Sequence, residues 1–79
     1  MKVTEKQQYL NENTGRWTTC TSSVTNYPKN TVKNQFLHLV NQNCFGEHEV
    51  SCKISGDKKS AKIVQTIRGV KRYVFLLKE

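Results

Sequence analysis

The chain has 79 residues, is 35% apolar, and carries thirteen Lys and Arg against six Asp and Glu, a net charge of +7. That length holds one domain with a thin core, because chains of this size bury only about 60% of the surface their unfolded state exposes. No apolar run approaches the ~18 residues of a membrane span, and the polar start Met1-Lys2-Val3-Thr4-Glu5-Lys6 is no signal peptide, so a cytoplasmic protein without membrane contact is expected.

Residues 2–10 alternate as a strand, with Val3, Glu5, Gln7 and Tyr9 on one face and Thr4, Lys6, Gln8 and Leu10 on the other. Neither face is cleanly apolar, which predicts an edge or solvated strand. Asn11 to Gly15 is a loop whose glycine suits positive φ, as in a hairpin. The Thr-rich run 16–25 follows as a second strand. Its Trp17 is expected to anchor the hairpin onto the helix; exposed instead, it would be an interaction hot spot. Pro28 turns the chain, and Asn30 or Thr31 supplies a helix cap. From Thr31 to Gln42, Val32, Phe36, Leu39 and Val40 fall at i, i+4, i+7 and i+8, one stripe of an amphipathic helix with Leu37 beside it. Asn43-Cys44-Phe45-Gly46 ends it.

The last third reads as a three-strand meander. Val50, Cys52 and Ile54 alternate with Ser51, Lys53 and Ser55, and Gly56-Asp57-Lys58-Lys59 supplies a turn. Ala61, Ile63, Gln65 and Ile67 alternate with Lys62, Val64, Thr66 and Arg68 before a turn at Gly69-Val70 leads into 72–77. The order ββαβββ predicts a small single α+β domain over residues 1–79, an antiparallel sheet with the amphipathic helix packed on one face.

Residues 53–79 hold eight basic residues against two acidic, a net +6, whereas residues 1–52 hold only +1. A field of that sign attracts polyanions. The candidate binding residues are therefore Lys53, Lys58, Lys59, Lys62, Arg68, Lys71 and Arg72, with Tyr73 and Phe75 as aromatics interleaved among them. A two-residue loop at Gly69-Val70 would set Arg68 opposite Lys71 and put Tyr73 and Phe75 on the face of Lys62; a loop one residue longer would bury them instead.

Two partners suit this pattern. One is nucleic acid, DNA or RNA, gripped through phosphates in a salt-sensitive, sequence-tolerant way. The other is an acidic protein surface, or the nucleic-acid channel of another complex, engaged by an inhibitor or adaptor of the phage or mobile-element kind, an exposed edge strand also being able to pair with a partner sheet. A homodimer is compatible with the thin core. The plain reading, a solvated and solubilising sheet face, stands beside both.

Metal and catalysis find less support. Cys44, His48 and Cys52 at x₃ spacing, with His38 nearby, lack the close ligand pairs of a zinc knuckle, so no metal and no cofactor are assigned. An odd three cysteines argue for reduced thiols, Cys52 reading as a small buried hydrophobe on the core face. His38 and His48 would serve a ribonuclease-like toxin as acid and base, but nothing fixes their geometry. There is no glycine-rich phosphate loop and no G-x-S-x-G, so the expectation is a non-enzymatic protein without catalytic residues.

Overall fold

A computed structural model describes residues 1–43 and 49–79. Six elements follow in chain order: β1 (Lys2–Asn11), β2 (Arg16–Asn26), α1 (Val32–Asn43), β3 (Glu49–Ile54), β4 (Ser60–Ile67) and β5 (Lys71–Lys78). All five strands pair antiparallel in one sheet, ordered β2-β1-β5-β4-β3, and the helix packs against β3, β4 and β5. The α+β reading and its ββαβββ order hold. The expected end of the helix at Cys44-Phe45-Gly46, together with Glu47 and His48, lies outside the described residues.

Local chemistry forms the elements as the pattern suggests. Gly15 closes the β1–β2 hairpin at φ +70°, donating to the Asn11 carbonyl at 2.7 Å. Thr31 caps α1: its hydroxyl accepts from the Asn34 amide at 3.2 Å, while Asn30 Oδ1 accepts from the Thr31 amide at 2.9 Å. Val32 and Leu39 are buried, Phe36 and Val40 pack beside them, and Leu37 is left exposed.

Of the two expectations for β1, an edge or a solvated strand, the edge fails: β1 is an inner strand. It lies between β2 and β5 with Val3 opposite Leu77, so the two ends of the chain meet in the sheet. Its polar faces are tolerated there because the helix reaches only β3 to β5; backbone pairing on both sides, not side-chain burial, holds most of β1 in place. The edges are β2 and β3.

The core is a cluster of Val3, Val32, Leu39, Ala61, Ile63 and Leu77, with Met1, Phe36, Val40, Val50 and Phe75 packed against it. Its composition follows from the β4–β5 connection. The loop is three residues long, Arg68 to Val70, so Ile67 rather than Arg68 faces Lys71. Arg68 and Gly69 sit at φ +53° and +72°, and the Val70 amide donates back to the Ile67 carbonyl at 3.2 Å. This extra residue inverts β5 relative to a two-residue loop. Tyr73, Phe75 and Leu77 share the helix side with Ile63, and Arg72, Val74 and Leu76 point away from it. Cys52, opposite Ile63, is on the helix side as expected but exposed rather than buried, since β3 is the rim of the sheet. Among the described residues no helix is long and apolar enough to cross a membrane.

Ile63 is 0% exposed at the centre of this cluster, whereas Val24 on β2 is 62% exposed. Ile63→Ala is expected to lose about 2–5 kcal/mol of unfolding free energy, and Val24→Ala less than about 0.5 kcal/mol. Urea denaturation of the two variants measures both, and equal losses would mean that the core lies elsewhere.

Candidate nucleic-acid interface

Residues paired in register share a face of the sheet, so the side without the helix can be read strand by strand. It receives Lys2 and Lys6 from β1, Arg72 and Lys78 from β5, Lys62 from β4 and Lys53 from β3. Six of the thirteen cations therefore project from one face. The only acid that the strands present on this face, among the described residues, is Glu49 at the far end of β3; Glu79 follows Lys78 just beyond β5.

Two of these pairings set like charges directly opposite each other, Lys53 across from Lys62 and Lys2 across from Lys78. Such pairs destabilise a sheet. Beside them lies an apolar floor of Leu76, in the row of Lys62 and Lys53, and of Val64 and Val74 in the next row. Val74 is only 6% exposed although no element covers this side among the described residues, because Lys6 and Val64 flank it across the strands, where the aliphatic stem of a lysine covers apolar surface. A groove of about 450 Å³ is lined by Lys53, Lys62, Leu76 and Lys78 of this face together with Ile54, Ser55, Ser60, Ala61 and Leu77. A second, of about 360 Å³, is lined by Met1, Lys2, Asn26, Lys78 and Glu79. Lys78 belongs to both, which joins four lysines into one strip across the sheet.

The structure divides the residues expected from sequence. Lys53, Lys62 and Arg72 come together on the helix-free face. Lys58 and Lys59 sit in the β3–β4 turn at the lysine-rich end of the sheet, and Arg68 sits in the β4–β5 turn at the opposite end. Lys71, Tyr73 and Phe75 do not join them. The three-residue loop turns all three to the helix side, where Phe75 packs on the core. The Lys71 ammonium lies 5.5 Å from the Tyr9 ring centre and 5.2 Å from that of Tyr73. The hydroxyls of Tyr73, then of Tyr9, hold it above the usual lysine range. Aromatics interleaved with bases at Tyr73 and Phe75 are thus not a property of the open face.

Sequence reading missed Lys2, Lys6 and Lys78, whose contribution depends on the pairing of the chain's two ends. It also put Trp17 on the wrong side. The β1–β2 register shifts between Gln7 and Gln8, whose partners are Thr21 and Thr19, so Cys20 is an extra residue in β2. Beyond this bulge Trp17 faces Leu10 on the helix-free side instead of reaching the helix. The guanidinium carbon of Arg72 lies over its ring at 4.3 Å. Arg72 Nε donates to Gln8 Oε1 at 2.5 Å, and Gln8 Nε2 donates to Thr19 Oγ1 at 3.0 Å. A chain of contacts across β2, β1 and β5 thereby fixes one guanidinium.

His38 is exposed on α1, and among the described residues no three His, Cys, Asp or Glu side chains gather as a metal site would need; Cys44 and His48 lie outside them. In the β3–β4 turn, Asp57 Oδ1 accepts from Ser55 Oγ at 2.6 Å and from the Lys59 amide at 3.0 Å. The Ser55 hydroxyl first, then the Lys59 amide, hold this exposed carboxyl below its ordinary range. The chain matches no protein-family model, and no curated protein or solved structure matches it at a significant level.

A carboxyl whose folded pKa is depressed stabilises above its unfolded pKa, and that contribution is lost as pH falls through the folded value. Asp57 is therefore expected to titrate below a normal aspartate when followed by NMR, and Ser55→Ala should move it back up. An unchanged titration in Ser55→Ala would show that the hydroxyl does not hold the turn.

Proposed function

We propose that this protein is a small non-enzymatic binding module that engages nucleic acid through the helix-free face of its sheet. The observation that carries the reading is the face itself: six cations against one acid, with lysines directly opposed at two cross-strand pairs. Opposed lysines raise each other's electrostatic energy, and a polyanion relieves both at once. Phosphates along a strand would sit on Lys53, Lys62, Lys78 and Lys2, releasing counterions as they do so, with Lys58 and Lys59 at the same end. Contacts of this kind set position and affinity but read no base. A cytoplasmic location goes with this reading, and the exposed thiols of Cys20 and Cys52 suit a reducing compartment.

A second reading, capture of a protein partner, is favoured by β2. This edge strand of eleven residues carries its only charge at Arg16, has no proline, and is exposed along almost all its length. Such an edge accepts another strand. Strand pairing with a protein partner there, in the manner of an inhibitor or adaptor, would leave the lysine strip unengaged.

Fluorescence anisotropy with labelled oligonucleotides at two salt concentrations decides between them. The expected result is binding that weakens steeply with salt and disappears in Lys62→Glu with Lys78→Glu. The same pair should melt no lower than the wild type, and slightly higher at low salt, because it removes both like-charge oppositions. Failure of the wild type to bind any oligonucleotide at low salt overturns the proposal and leaves the β2 reading.

A further inference from the structure

We propose that Arg72, held over Trp17 and tied to Gln8, is a stacking shelf for an unpaired base, which makes the ligand single-stranded nucleic acid rather than duplex. The inference rests on the nucleic-acid reading above and deepens it. Three features support the shelf. The bulge at Cys20 turns the chain's only tryptophan away from the helix, so Trp17 takes no part in the core cluster. Bulges re-aim side chains in this way beside functional sites. The guanidinium of Arg72 is then fixed twice, over the indole at 4.3 Å and through Nε to Gln8, whose own amide is anchored on Thr19.

What this arrangement leaves open is informative. Of the five N–H donors of Arg72, only Nε is engaged among the described residues, so the two amino groups remain available to a phosphate or a base edge. One side of the guanidinium is backed by the indole, which leaves the other for a partner ring. A base laid there completes a stack of indole, guanidinium and base, an arrangement open to any base because each has a π face. A duplex keeps its bases stacked on one another and offers none. Arg72 and Lys78 are six residues apart on β5, roughly 20 Å at ~3.4 Å per residue. A strand lying along β5 would therefore place a base on the shelf and its phosphates on the lysine strip.

The test compares a short single-stranded DNA, an RNA of the same sequence and the corresponding DNA duplex by anisotropy at fixed salt. The wild type should bind the single strands about tenfold more tightly than the duplex. Arg72→Lys keeps the charge and removes the plane. It should erase most of that preference, lower single-strand affinity about tenfold, and leave duplex affinity and the salt slope unchanged. Trp17→Ala should act in the same direction, with Trp17→Phe retaining most of the binding. Equal single-strand and duplex affinity in the wild type, or an Arg72→Lys variant that binds like the wild type, overturns the shelf. If Lys62→Glu with Lys78→Glu abolishes binding while Arg72→Lys changes nothing, the shelf falls and the nucleic-acid reading survives. If the wild type binds no oligonucleotide, both fall.

Discussion

The structure depends on a turn of two residues held at positive φ. Arg68 and Gly69 at +53° and +72° lengthen the β4–β5 connection to three residues and place Ile67 opposite Lys71. Glycine adopts that conformation freely, but for arginine it carries a penalty of order 1 kcal/mol. What holds Arg68 there is the consequence of the alternative. Side chains alternate with period two, so a slip of one residue would carry Phe75 and Leu77 out to solvent and press Arg72 and Val74 toward the helix. Leu77 is 2% exposed and sits in the same cluster as Ile63 and Val32. Burying that side of β5 far outweighs one strained dihedral.

A second one-residue device acts on the other flank of the sheet. Were Cys20 paired with Gln8 instead of bulged out, the β1–β2 register would run unbroken and place Trp17 opposite Asn11, on the side of Val3 and the helix. With the bulge, Trp17 crosses to the side of Gln8 and Arg72. The three-residue loop sends Arg72 away from the helix, and the bulge sends Trp17 after it. Either device alone would leave the two on opposite faces.

These two parity switches also explain which features were legible in the amino-acid pattern. Element order, the α1 stripe at Val32, Phe36, Leu39 and Val40, and the Thr31 cap are encoded within a few residues of where they act, so local periodicity is enough to find them. The face of a strand is different, because one residue more or less in a loop or bulge reverses every position beyond it. For this reason the pattern leaves Phe75 between two faces until the loop length is known, and it puts Trp17 on the wrong one. The central position of β1 was hidden by distance, since Val3 and Leu77 lie at the two ends of the chain and no local signal pairs them. With that pairing went Lys2 and Lys78, half of the lysine strip.

Charge on an uncovered sheet face also serves solubility, because the floor of Val64, Val74 and Leu76 would otherwise invite stacking against another molecule. That need is met by cations anywhere on the face, staggered to keep them apart. It does not call for Lys53 directly opposite Lys62, or Lys2 directly opposite Lys78, arrangements that work against folding in a domain with so thin a core. Nor does it call for a guanidinium fixed between an indole and a glutamine, since a freely moving arginine solubilises at least as well and loses less side-chain entropy. The proposed polyanion ligand accounts for both penalties, which solubility alone does not.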